Sequence, residues 1–339
     1  MADYLSERPN RRYGWRRDKV RKQGKNFLAI FIVVVLVFAS LNGLLKTFSL
    51  KQDINKSKWN TSLPFVSVLV TKPVSLFVYN PDDEKITFLK IPDDLYFMSG
   101  KNDMPFVKLS DLAAGGDGNE IAKVISINVG KKINSFIVPD NVTTFDKSSA
   151  EEFFKSFASI ATPVRILTKG PFLMSKTNIE RYDAFKLWWQ LKGIGIKQVK
   201  TVDLDGVTEA ILSESGSKVL GVDEESFGFK ISQFLKSRVL AASGYKVRIV
   251  NAGESADSAA LAANFVRNSG MEVVGVEKGD SYENITKIIS EDKSGFVPKY
   301  LAEIFECDIF SGPKNDQNKT DKSEITVILG NDFSGRYFQ

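Results

Sequence analysis

From residue 63 onward, apolar positions come first in short unbroken runs and then at helical spacing. The runs "LPFVSVLV", "VSLFVYN" and "KITFLKI" predict three strands, and the turn "PDDE" at Pro81–Glu84 closes the last two into a hairpin. "GNEIAKVISINV" spaces its apolar residues as a helix does, and "INSFIVPD" predicts the next strand. "SAEEFFKSFASI" predicts a helix capped by Ser148 or Ser149, with Glu151 and Glu152 in the first turn, where negative charge favours the helix dipole. "TPVRILT" predicts a strand. "NIERYDAFKLWWQLKG" predicts a helix running from an N-cap near Asn178 to a stop at Gly193.

Residues 216–244 predict a connector with one helix, "FKISQFLKSRVLAAS". A second unit follows at 245–333: strand "YKVRIVNAG", helix "SADSAALAANFVRNSG", strands "MEVVGVEKG" and "NITKIIS", helix "VPKYLAEIFE", strand "EITVILG". That order is βαββαβ, and the alternation along the whole chain places the protein in the α/β class. The polar stretch "SGPKNDQNKTDKS" before the last strand predicts a disordered loop.

Upstream the pattern is different. Phe27–Leu45 is 19 residues without a charge, with Asn42 as its strongly polar member. At about 1.5 Å rise per residue, that length just crosses a bilayer core of about 30 Å. Residues 1–26 carry nine Lys or Arg against three Asp or Glu, a net +6. A basic flank stays cytoplasmic, so the expected topology is single-pass type II. The expected organisation is a basic cytoplasmic tail (1–26), a transmembrane helix (27–48), a polar stalk (49–62), an α/β domain (63–215), the connector (216–244) and the C-terminal unit (245–333). A cleaved signal peptide is the rival, with "VFAS" as the small-residue site, but the apolar run is long for one.

The formal charge of +5 over 339 residues is therefore a property of the tail. The remainder carries 37 basic and 38 acidic residues, no field for nucleic acid. The chain has no histidine, which removes His triads, His metal sites and a His general base. Its single cysteine, Cys307, makes neither an intrachain disulfide nor a thiolate cluster. "GIG" at Gly193–Gly195 lacks the rest of a dinucleotide fingerprint, and "GPKNDQNK" is not a phosphate-binding loop. Phe185, Trp188 and Trp189 read first as helix packing, with sugar stacking or a lipid-facing surface as the other reading. The adjacent carboxylates Asp93 and Asp94 close the hairpin's second strand; on loop composition alone they are an exposed turn.

The C-terminal unit is similar to the LytR C-terminal domain. "VRIVNAG", "LAANFVRNSG", "EVVGV", "YENITKII", "LAEIFE" and "ITVILGNDF" follow that family's order over about 90 residues. Asn251, Gly253, Leu329, Gly330 and Asp332 keep family identities, while its Asn-Gly-Thr-Gly run reads "NAGES" here. The region 65–195 resembles a degenerate LytR–CpsA–Psr (LCP) domain: "VSLFVYNPDDEKITFLKIPDDLYF", then "FVKLSDLAAGG", "INSFIVPD", "FFKSFASIATPVRI" and "NIERYDAF". The resemblance implies transfer of a glycopolymer from a polyprenyl-pyrophosphate carrier to the bacterial envelope. Such chemistry needs a carboxylate-held Mg²⁺ and Arg forks on the leaving pyrophosphate, and an apolar cavity for the prenyl tail.

The chain departs from the family where charge matters. Asp93 stands for the Arg expected after Ile91–Pro92, and Lys72 for the Asp expected before the "VSLF" strand. Of the helix's Arg-x-x-Arg-Gln-Gln, only Arg181 remains, with Asn178 at the other Arg position and Tyr182–Asp183 for Gln-Gln. Two readings follow. One is a membrane-anchored envelope protein that has lost transferase chemistry, binds cell-wall glycopolymer, polyprenyl-phosphate lipid or a protein partner the sequence does not name, and needs no cofactor. The other is a divergent phosphotransferase: Asp94 and Asp93 on Mg²⁺, Arg181 on phosphate, Lys108 assisting. The bland readings of Lys108 and Arg181 are a surface lysine and a helix-surface residue. Transcriptional regulation, suggested only by the family's name, has no helix-turn-helix to support it.

Overall fold

The computed structural model describes residues 54, 56–139, 144–169, 174–212, 218–253, 255–312 and 324–338. The run Phe27–Leu45 lies outside them, as does most of "SGPKNDQNKTDKS". Among the described residues no helix is long and apolar enough to cross a membrane. Ser57–Gln339 is one compact unit, of mixed α/β architecture.

Its first half is built on a six-stranded mixed sheet in the order β7-β6-β1-β2-β3-β8. The strands are β1 (Phe65–Leu69), β2 (Ser75–Asn80), β3 (Lys85–Lys90), β6 (Ser135–Pro139), β7 (Met174–Thr177) and β8 (Val199–Asp203). The predicted β2–β3 hairpin is antiparallel, with Asn80 opposite Lys85 beside the turn. Both faces of the sheet are covered, so its strands are near-continuous apolar runs rather than alternating ones. Val68, Leu76 and Leu89 face one core, with α2 (Gly118–Val129) and α6 (Glu224–Leu235). Phe65, Phe77 and Phe88 face another, with α3 (Lys147–Phe157) and α5 (Arg181–Leu191). A four-stranded sheet, β5-β4-β10-β9, closes the first core; β4 is Tyr96–Met98, β5 Phe106–Lys108, β9 Thr208–Leu212 and β10 Lys218–Val222. Helix α1 (Leu109–Gly115) follows β5 directly.

Three local expectations are corrected. "TPVRILT" is helix α4 (Thr162–Lys169), not a strand. Thr162 and Ile166, one turn apart, are both buried, and Pro163 sits in its first turn, where the missing N–H is harmless. Helix α3 is capped by Asp146, whose carboxylate accepts from Ser149 N at 2.8 Å, rather than by Ser148 or Ser149. The connector helix is two, α6 and α7 (Arg238–Ser243), the second with its own cap, Ser237.

The C-terminal unit is a five-stranded sheet, β12-β11-β15-β13-β14, with α8 (Ala256–Asn268) and α9 (Phe296–Phe305) supplying its buried apolar face. Its strands are β11 (Lys246–Asn251), β12 (Glu272–Lys278), β13 (Lys287–Ser290), β14 (Asp308–Ser311) and β15 (Glu324–Leu329). The predicted βαββαβ order stands, with β14 and a terminal helix α10 (Asn331–Tyr337) added.

The two halves are packed together. Leu63 and Ile127 belong to the C-terminal core. The Asn268 amide of α8 donates to Val129 O at 2.8 Å and Gly130 O at 3.1 Å, satisfying carbonyls at the C-terminus of α2. Gly130 takes φ 61°, and a Cβ there would lie 2.6 Å from Asn264 Cβ, so a side chain would separate these helices.

Candidate functional site

The four residues singled out by the sequence do not form one constellation. Asp93 is half-buried; its Oδ1 accepts from Val74 N at 3.4 Å. Burial pushes its carboxyl above the usual range, against the Val74 bond and the Lys72 ammonium, with the Asp94 charge adding to the rise. Asp94 is exposed. Lys108, in β5, pairs opposite Tyr96, two residues past Asp94, and its ammonium lies 4.9 Å from the Tyr96 ring centroid. Arg181 is exposed in the first turn of α5. The charges acting on Asp93 are thus Lys72 and Asp94, not Lys108 or Arg181.

Register explains the separation. Ser75 is opposite Leu69 at the C-terminal end of β1, and Asp93 is bonded just beyond it, at Val74. Helix α5 starts at the other end: Asp183, in its first turn, accepts from the backbone N–H of Lys58 and Trp59, which precede β1. Between the two lies the length of β1, about 13 Å from first to last residue. Among the described residues no three Asp, Glu or Cys side chains form a group that could hold a metal ion.

A different set of residues does converge, at the N-terminal end of β1. A cavity of about 360 Å³ lies there, between the first turn of α5, the loop after α2 and helix α9 of the C-terminal unit. Its walls are tied together. Buried Asp183 takes Ser57 Oγ at 2.6 Å, Lys58 N at 3.0 Å and Lys186 Nζ at 2.7 Å. Asn178 Oδ1 accepts from Phe136 N at 3.0 Å, and its amide donates to Asn134 O at 2.7 Å. Lys132 Nζ bridges to the other half, reaching Glu303 O at 3.0 Å and Glu306 at 2.5 Å. The Tyr300 hydroxyl donates to Ser269 Oγ at 2.9 Å. Lys131, also in the lining, is buried with its ammonium on Leu235 O at 2.7 Å, and burial pulls its pKa down to about 7.

Trp59 is the residue sequence reasoning passed over, because it lies in a polar stretch read as a stalk. Its indole packs edge-on to Phe65, centroids 5.1 Å apart, and Nε1 donates to Leu63 O at 3.0 Å. A lone tryptophan in "KQDINKSKWNTS" was the available signal, since so much apolar area is seldom left in water. Glu303 gave none: it reads as an ordinary polar position of α9.

Residues 244–333 match the protein family described as LytR cell envelope-related transcriptional attenuator. Among solved structures, Bacillus subtilis TagV is similar at 10% identity and TM-score 0.38, over 52% of this chain and 98% of that one. The LytR-CPS2A-psr family protein TagT, in a structure with bound octaprenyl pyrophosphate lipid, is similar at 12% identity and TM-score 0.35, over 53% and 94%. A transcriptional regulator of Enterococcus faecalis is similar at 12% identity and TM-score 0.39, over 52% and 89%. No curated protein sequence matches the chain significantly.

Proposed function

Starting from a chain whose residues 244–333 are a LytR C-terminal domain, we propose a membrane-anchored, extracytoplasmic cell-envelope protein that binds but does not transfer. It is a non-catalytic binding or scaffold protein in the attachment of cell-wall polymer. Phe27–Leu45 is its anchor, the basic tail stays cytoplasmic, and the compact unit Ser57–Gln339 faces the wall.

The observation that carries this reading is the placement of Asp93 and Asp94 at one end of the six-stranded sheet and Arg181 at the other. Transfer from a pyrophosphate requires carboxylate-held metal and cations on the same phosphates, within hydrogen-bond distance. Their placement at opposite ends of β1 argues against such a site. Mg²⁺ is content with one or two carboxylates plus substrate phosphates, so the Asp pair suffices in number. It does not fit in chemistry. Burial raises the Asp93 pKa, and the charges that act on it are Lys72 and Asp94, so neither Lys108 nor Arg181 is placed beside it to balance a phosphate. Where the resemblance puts catalytic polar groups, Asn178 and Asp183 instead hold the polypeptide together.

The test is calorimetric titration of the full chain in detergent with a short-chain polyprenyl pyrophosphate, with and without Mg²⁺. The expected result is no Mg²⁺-dependent heat and no polymer transfer, with retention of the protein on purified cell wall. Mg²⁺-dependent binding that disappears in Asp94→Ala would sink this reading in favour of the divergent phosphotransferase.

A further inference from the structure

The cavity between the two halves has hydrogen-bonding capacity that the fold leaves unused. Its walls consist of groups already satisfied: Asp183, Asn178, Lys132 and Tyr300. At its opening, the side chains of Lys58, Asn134, Glu180 and Glu303 make no hydrogen bond or salt bridge among the described residues. Beneath them lie buried Leu63, Phe65 and Ile304 and the indole of Trp59. The indole N–H is engaged by Leu63 O, the Lys186 ammonium stands 5.6 Å from its ring centroid and Phe65 and Tyr79 pack against it, so Trp59 gives the cavity an apolar wall and no donor.

This combination narrows the ligand. A phosphate or polyanion would meet two carboxylates, Glu180 and Glu303, and among the lining lysines only Lys58 has an uncommitted ammonium. For a metal ion, the third carboxylate of the lining, Asp183, is already taken by Ser57, Lys58 and Lys186, and among the described residues no three acidic side chains form a group that could hold one. A long prenyl chain needs a dry and longer space than about 360 Å³ with a charged opening. A small uncharged molecule with one apolar face and an edge of hydroxyls fits every feature. Its C–H face lies on Trp59, its hydroxyls donate to Glu180 and Glu303, and its oxygens accept from Lys58 and Asn134.

We propose that this cavity binds a neutral hexose or N-acetylhexosamine unit of a polysaccharide, with Trp59 as its apolar wall and Lys58, Asn134, Glu180 and Glu303 as hydroxyl partners. The site rests on the polymer-binding reading above and specifies which part of the polymer is held. It draws on both halves, Glu303 from the C-terminal domain and the others from the first, so binding links them.

The experiment is calorimetry of the full chain in detergent with an N-acetylglucosamine trimer and a glucose trimer, alongside co-sedimentation with purified wall sacculi. The wild type binds at least one trimer. Glu180→Ala combined with Glu303→Ala weakens that binding about tenfold or more, with unchanged melting, because neither side chain holds the fold. Trp59→Ala abolishes it; since that variant loses packing as well, the carboxylate pair is the deciding one. A folded wild type that binds neither trimer, or binding equal in the double variant, overturns the proposal. A glycerol-phosphate oligomer that binds more tightly than both trimers overturns the choice of a neutral sugar. Sacculi separate this site from the broader reading. Retention of wild type and double variant alike, without trimer binding, removes the site and leaves polymer binding. Trimer binding without retention leaves the site and removes the wall polymer as its source.

Discussion

Lys131 makes the sharpest prediction, because a buried ammonium with one carbonyl partner has an energetic signature that depends on pH. The unfolded chain keeps this proton up to the ordinary 10.5, whereas the folded protein gives it up near 7. Between those values the unfolded state binds more protons, so Lys131 makes stability rise as pH rises through the window. Below pH 7 the folded protein must carry a buried charge, at a cost of about 5 kcal/mol relative to a lysine of ordinary pKa. Lys131→Met keeps the aliphatic stem and removes the charge. It also leaves Leu235 O, at the last turn of α6, without its donor, a loss of roughly 1–3 kcal/mol.

The two effects have opposite signs and different pH dependence. At pH 6 the variant is expected to be more stable than the wild type by about 2–4 kcal/mol. Near pH 10 the wild-type amine is neutral in the folded state but the unfolded one is still mostly protonated, which leaves about 1 kcal/mol of the cost, so the variant is less stable by up to about 2 kcal/mol. The difference therefore changes sign, with a slope approaching about 1.4 kcal/mol per pH unit above pH 7. Urea unfolding of both proteins from pH 6 to 10, compared pairwise so that other titrations cancel, measures it. Parallel curves, or a variant less stable at every pH, would refute the reasoning.

Three further outcomes follow from the contacts between segments. Asn268→Ala removes two bonds to the end of α2 and should cost about 1–3 kcal/mol in urea unfolding; a loss below about 0.5 kcal/mol would mean that water replaces the amide fully. Asp183→Ala removes the carboxylate partner of the Lys186 ammonium, which keeps Ser57 Oγ and Trp59 O, and loosens Ser57–Trp59, so a loss of about 3 kcal/mol is expected, with new proteolytic cleavage near Ser57; unaltered resistance to cleavage would contradict it. Asp94→Ala and Arg181→Ala, both at exposed positions, should each change stability by no more than about 0.5 kcal/mol and combine additively. Measurable coupling between them in binding or stability would put them in one site after all.

Much of the fold was legible in the sequence because its strands and helices differ in period. The C-terminal βαββαβ order could be read from "VRIVN", the Ala-rich helix and "ITVIL", each bounded by Gly, Ser or Asn. "TPVRILT" misled because Val164 and Ile166 alternate as a strand's residues do. Thr162 and Ile166 are equally one helical turn apart, and a short apolar run cannot separate the two. Strand β14 was missed for the related reason that "DIFS", four residues at a sheet edge, carries almost no periodicity.

The candidate site was less legible, and the reason is geometric. Family order can match Asp94, Lys108 and Arg181 to their positions along the chain, but order along the chain does not say which end of a sheet each one reaches. That depends on strand pairing: β6 runs parallel to β1 and β7 runs back against β6, and together they carry α5 to the end of the sheet opposite the Asp93 loop. The same pairing explains why Asp183 holds backbone rather than ligand. Ser57–Trp59, more than 120 residues earlier, arrives at the first turn of α5 because β1 must begin there. An Asp in place of a family Gln is then a charged acceptor for the backbone N–H groups of Lys58 and Trp59, which favours the carboxylate on structural grounds alone. Reversing it therefore separates structure from chemistry: Asp183→Gln should loosen Ser57–Trp59 without producing transfer, because Arg181 and the Asp93–Asp94 loop would remain at opposite ends of β1. Recovered transfer in that single variant would show that the distance, and not the lost charges, had been misjudged.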